Sequence, residues 1–131
     1  MKIYLAARFG RRAELLNYKT SLEVHSHVVT SRWLTQPDQD DIHQRNYSEE
    51  QRLQFAINDY ADVLVAHALI AFTEPRDRDT PGGKRGGRHV ELGIALALHK
   101  EVFVVGYREN VFCHLSSVRF FETFHQLLEA L

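Results

Sequence analysis

The segment Gly87-Arg88-His89-Val90-Glu91-Leu92-Gly93 sets a single acid into an otherwise apolar run. Val90, Leu92, Ile94, Ala95, Leu96, Ala97 and Leu98 read as a helix buried on most of its faces. A carboxylate in such a helix is costly unless it is paired, solvated in a cleft or used. The loop ahead of it, Pro81-Gly82-Gly83-Lys84-Arg85-Gly86-Gly87, is rich in glycine and lets backbone approach a ligand closely. Glu91, at the mouth of a helix behind a basic loop, is therefore a candidate catalytic group. The same placement also has a purely structural use, because the helix dipole favours acids in the first turn by roughly 0.3–1 kcal/mol.

Other charged residues offer further chemistry. Asp59 and Asp62 sit near the end of a second helix, away from the stripe Leu53, Ile57, Tyr60 and Leu64, where a solvated helix face would also explain them. Basic residues gather at Arg8, Arg11 and Arg12 and again at Lys84, Arg85 and Arg88. Guanidinium groups suit a phosphate; on loops they also serve as solubilising charges. The histidines show no metal-ligand spacing, and Cys113-His114 lacks partners, so no metal site is expected. Cys113 is the single cysteine, which excludes an internal disulfide and a thiolate metal cluster and fits a reducing cytoplasm. Trp33 follows a strand, where it could stack on a base or serve core or interface packing.

The positioning elements follow from apolar periodicity. Ile3–Ala7 reads as a buried strand, Arg11–Val24 as a helix with Leu15, Tyr18 and Leu22 on one face, and His27–Thr30 as a second strand. Trp33–Tyr47 reads as a loop. Ser48-Glu49-Glu50-Gln51 fits a capping box that opens a helix reaching Val65. Ala68–Phe72 is a strand, followed by the glycine loop and the Glu91 helix. Val102–Val105 and Arg119–Phe121 are strands, and Thr123–Leu131 is a closing helix on Phe124, Leu127, Leu128 and Leu131. Alternation of strand and helix predicts a parallel sheet covered on both faces. Ligands of such sheets bind beyond the carboxyl ends of the strands, which would gather Arg8, Thr73 and the glycine loop at one rim. With 131 residues, 44% hydrophobic and 25% charged, the chain suits one soluble domain, residues 1–131. Its net charge of −1 argues against a dedicated nucleic-acid binder. No stretch approaches the roughly 18 apolar residues of a membrane span.

Taken in order, the opening Ile-Tyr-Leu-Ala, Asp59-Tyr60-Ala61-Asp62, the strand ending Ala71-Phe72-Thr73-Glu74 and the Gly-Arg-His-Val-Glu-Leu-Gly segment form a pattern. It resembles the nucleoside 2-deoxyribosyltransferase family and the related 2'-deoxynucleoside 5'-monophosphate N-glycosidases, over nearly the whole chain. The resemblance implies a single flavodoxin-like or Rossmann-like three-layer domain with a five-stranded parallel sheet. It implies cleavage or transfer at the N-glycosidic bond, with Glu91 as the nucleophile and Asp59 handling the proton of the base. Family members often carry a second acid eight residues after that aspartate; here His67 stands in its place. The glycosidase branch reads a 5'-phosphate with the loop after the first strand, which here holds Arg8 and Arg11. Arg85 stands where the transferase branch often has a sugar-contacting aspartate, and an arginine there tilts the substrate toward a phosphorylated one.

Family members are also oligomers in which a neighbour's late loop completes the site. The matching stretch is Arg108–Ser117, with Asn110 toward the sugar and Ser116 or Ser117 toward a phosphate. Turn and capping chemistry are the other uses of these residues. Substrate-binding candidates are thus Arg8, Arg11, Arg85, Gly87, Asn110 and Ser117. The expected partners are a small nucleoside or nucleotide and a second copy of the chain, without nucleic acid, membrane or cofactor. A non-catalytic nucleotide-binding or signalling module on the same fold is the alternative.

Overall fold

The computed structural model describes residues 1–36, 47–75 and 86–131. Five strands form one sheet: β1 (Lys2–Ala6), β2 (Val28–Val29), β3 (Ala68–Phe72), β4 (Glu101–Val105) and β5 (Val118–Phe121). Their order is β2-β1-β3-β4-β5 and every pairing is parallel. This is the flavodoxin-like order, whose switch point lies between β1 and β3. All five residues of β3 are buried, as a central strand covered on both faces requires.

Four helices cover the sheet: α1 (Arg12–Val24), α2 (Glu49–Val65), α3 (Gly87–Ala97) and α4 (Phe124–Ala130). Tyr18 of α1 stacks on Phe124 of α4 and on Phe72 of β3, with ring centroids 4.1 and 5.3 Å apart, so α1 and α4 share one face. On the other face α2 packs beside α3, and both reach β1. The Ser48 capping box forms as read from the sequence: the Gln51 amide donates to the Ser48 hydroxyl and the Ser48 amide to the Gln51 side chain.

Two expectations fail, and both concern this second layer. The stripe Leu53, Ile57, Tyr60 and Leu64 does not face the core; each residue is exposed. The inward face of α2 instead carries Asp62 and Val63, with Asp59 half-buried beside them. On α3 only Leu92 and Ala95 are buried, while Val90 and Leu98 are open to solvent. Apolar periodicity marks a face that avoids water, and in the single chain that face is not the one turned to the sheet.

The second strand is shorter than expected, because side chains replace its ladder. The Ser31 hydroxyl accepts from the Leu5 amide at 2.6 Å, and the Trp33 indole donates to the Leu5 carbonyl at 3.0 Å. Trp33 is thereby a core residue. His67 lies at the amino end of β3, where its Nδ1 accepts from the Lys2 amide. That is the end of the sheet opposite the ligand rim.

Candidate active site

Three elements bring three side chains together on the α2–α3 face of the sheet. Tyr4 comes from the middle of β1, Asp59 from the last turns of α2 and Glu91 from the second turn of α3. Gly86 opens α3 with a left-handed backbone, φ 74°, a conformation that favours glycine. That turn sets the helix entry, and with it the position of Glu91.

Burial pushes the Glu91 carboxyl up to about 8, and the charge of Asp59 adds to the rise. The Tyr4 hydroxyl opposes it by offering a hydrogen bond to the carboxylate. Tyr4 itself is fully buried beside Glu91, and its hydroxyl is left without a hydrogen-bond partner among the described residues. Burial first, then the charge of Glu91, holds the phenol well above its usual range, so it remains a donor. Burial likewise pushes Asp59 up to about 7, helped by the charge of Asp62 and opposed by Arg32. The Oδ1 of Asp59 is buried with no hydrogen-bond partner. Burial thus raises the proton affinity of both carboxyls, and the charge of Asp59 adds to the rise at Glu91, so the two are coupled.

The remaining candidates divide. Arg8 reaches the switch point but is engaged there, its Nε donating to Glu74 at 2.6 Å. Arg11 donates from Nε and Nη2 to the Glu14 carboxylate at 2.7 and 3.0 Å, and from Nη1 to the Thr73 carbonyl at 3.2 Å. Arg12 donates to the carbonyls of Leu34 and Gln36. The cluster that the sequence offers to a phosphate thus ties the first loop to its neighbours. Gly87 begins α3 with open space where a side chain would stand. Asn110 caps the short turn at Val111–His114, accepting from the Phe112 amide at 3.0 Å, while its amide approaches His89. Ser117 is an exposed turn residue. Lys84 and Arg85 lie outside the described residues.

The late loop is fastened from both ends. Arg88 pairs with Glu109 in a largely buried contact between α3 and the loop after β4. Thr73 donates to the Tyr107 carbonyl at 2.7 Å and accepts from its amide at 2.6 Å. Sequence reasoning missed two residues here, Tyr4 and Arg32. A lone phenol in an aliphatic strand was the available signal for Tyr4, since a buried hydroxyl needs a partner. Nothing local marked Arg32, whose acid partner is 30 positions away.

No protein-family model and no curated protein matches the chain. Solved structures do. A 2-deoxyribosyltransferase of Bacillus psychrosaccharolyticus aligns with a TM-score of 0.74 at 22% identity, over 98% of this chain and 90% of that one. A CMP N-glycosidase of Clostridium botulinum aligns with a TM-score of 0.59 at 19% identity, over 99% and 97%. A conserved protein of Enterococcus faecalis aligns at 0.61 and 17% identity, over 98% and 95%. At such identities the likeness is one of fold. Over almost its whole length this chain has the α/β architecture of a 2-deoxyribosyltransferase and a CMP N-glycosidase.

Proposed function

We propose that the chain cleaves or transfers at the N-glycosidic bond of 2'-deoxynucleosides or their monophosphates, with Glu91 as nucleophile and Asp59 as proton handler. The observation that carries this reading is the meeting of Glu91, Asp59 and Tyr4, in which burial raises the proton affinity of both carboxyls. In this reading the two acids share one proton in the free chain. A sugar whose anomeric carbon is becoming cationic favours the Glu91 carboxylate and passes the proton to Asp59. The carboxylate oxygen then bonds to the anomeric carbon as the carbon–nitrogen bond breaks. The bond's electron pair leaves with the base, which takes the Asp59 proton. A second base, or water, reverses the step, gives its proton to Asp59 and frees Glu91. Tyr4 donates to the Glu91 carboxylate once the proton has left it.

The active unit in this reading is a homodimer or larger. Leu53, Ile57, Tyr60 and Leu64 on α2, Val90 and Leu98 on α3, and Val111, Phe112 and Leu115 of the late loop are apolar and exposed in one chain. A second copy covering this layer would dry the two carboxyls further and bring its own Asn110 and Ser117 toward the sugar. A 5'-phosphate would sit at the rim between Arg8, Arg11 and the amino end of α3 at Gly87, with Arg85 from the glycine loop. Because Arg8 and Arg11 already have acid partners, the gain from the phosphate is reduced by the cost of opening those pairs.

The test is a product assay for free base, with deoxynucleosides and their monophosphates as donors and with water or a second base as acceptor. Wild type should release base, and Glu91→Gln should lower turnover about a thousandfold or more while retaining ligand binding. Base release undiminished in Glu91→Gln would place the nucleophile elsewhere. Ligand binding with no release from any donor would favour a non-catalytic module.

A further inference from the structure

Asp62 lies one helical turn beyond Asp59 on the inward face of α2, and its side chain is only 7% exposed. Its Oδ2 accepts from the Arg32 amide at 2.9 Å, and its Oδ1 from the Arg32 Nε at 2.8 Å. Arg32 belongs to the short turn Arg32–Leu34 that follows β2. Its guanidinium also reaches toward the Asn58 carbonyl at 3.4 Å, which lays it along the helix beside Asp59. The Thr30 hydroxyl donates to the Asp62 carbonyl at 3.0 Å and fixes the same turn of helix from below.

Holding the Arg32 amide does not require a charge, since an asparagine or a hydroxyl would accept that bond equally well. A full carboxylate buried one turn from another acid is costly in this setting and affects every ionisable neighbour. The neighbours are few. Among the described residues, the groups that face Asp59 are Asp62 on its own helix, Arg32 from the turn after β2, Glu91 from α3 and Tyr4 from β1. Asp62 favours a proton on Asp59, and Arg32 opposes it. Because Arg32 is half exposed, its charge is the better screened of the two.

Resting on the function proposed above, we propose that the Asp62–Arg32 pair is a positioning device that keeps the proton on Asp59 until the base departs. Asp62 supplies the negative charge that holds the proton. Arg32 fixes the Asp62 carboxylate in place and limits how firmly the proton is held, so that it can still be given up. Neither residue touches the reacting atoms in this scheme; both act through Asp59.

The experiment is a titration of side-chain carboxyl carbons by NMR on the intact protein, with Asp59→Asn used to identify the Asp59 resonance. Asp62→Asn should lower the Asp59 midpoint by roughly one pH unit, the scale of two unit charges one helical turn apart in a partly hydrated site. Arg32→Gln should raise it, and Arg32→Lys, which restores the charge, should return it toward wild type. The alkaline limb of the activity profile should move in the same directions. If Asp62→Asn leaves the midpoint in place, or Arg32→Gln and Arg32→Lys titrate alike, the device does not exist. Should Asp62→Asn fail to fold, the two Arg32 variants decide alone. The titration needs no substrate, so shifted midpoints in a protein that releases no base would overturn the glycosidic reading and leave the coupling standing.

Discussion

Replacing Glu91 with Gln should stabilise the fold at alkaline pH while destroying the proposed reaction. The magnitude follows from the site. The Glu91 carboxyl holds its proton up to about 8 in the folded chain, against an ordinary value of 4.5. Below pH 4.5 folded and unfolded chains both carry that proton, and Glu91 costs the fold nothing. Between 4.5 and about 8 the unfolded chain releases it and the folded chain retains it, so stability falls as pH rises. At about 1.4 kcal/mol per pH unit, that window bounds the loss at roughly 5 kcal/mol. A half-buried glutamate keeps part of its hydration, so about 2 kcal/mol is the expected effect. Glutamine keeps the size and an acceptor oxygen for Tyr4 but never ionises. Urea unfolding of wild type and Glu91→Gln at pH 5, 6, 7 and 8 should therefore give a stability difference that grows with pH in favour of the variant. A difference that stays constant across the series would show that Glu91 ionises freely in the folded chain, and the paired-carboxyl account would fall with it.

Tyr4→Phe should leave stability within about 1 kcal/mol, since it removes a buried hydroxyl without changing packing. It should raise the Glu91 midpoint and lower kcat about tenfold with KM little changed, read by carboxyl titration and steady-state base release. Sedimentation should give a mass of two chains or more; Ile57→Glu or Leu64→Arg should yield a single chain with weakened base release, and a wild-type mass of one chain at working concentration would count against a shared site. Comparing a deoxynucleoside with its monophosphate on wild type, Arg8→Ala, Arg11→Ala and Arg85→Ala should show the phosphate preference shrinking in the variants and with added salt. Arg11→Ala should also cost about 1 kcal/mol of stability in urea, through lost contacts to Glu14 and the Thr73 carbonyl.

The strands and helices were legible because each carries a local signal. An apolar run marks β3, serine and glutamine three apart mark the start of α2, and a glycine run ends where α3 begins. The orientation of α2 and α3 was not legible for the same reason that their presence was. An apolar stripe identifies a surface that avoids water, yet the stripe alone does not say whether the sheet or another chain covers it. Asp62 illustrates the point: by periodicity it belongs to the solvated side, and it becomes a buried residue only through Arg32, a partner distant in the sequence. Glu91 and Asp59 stand out in the sequence through their place in an ordered motif. Tyr4, which shares their space, was hidden inside a strand that looked like plain core. The arginines of the first loop were read from their type, and type does not reveal that acids and carbonyls nearby already engage them.

The Ser31 hydroxyl and the Trp33 indole, which stand in for a ladder beside Leu5, divide the sheet into two mechanical regions. Toward β3, the strand that bears Tyr4 is joined by repeated backbone bonds that yield only together. Toward the sheet edge, past the backbone bond from Thr30 to Ile3, it is joined by side-chain contacts. The turn carrying Arg32 leaves from that looser side. It is held there by the buried Trp33 and Leu34 and by the Asp62 carboxylate, which grips Arg32 from α2. One strand thus carries backbone ladder bonds along one side and side-chain bonds along the other.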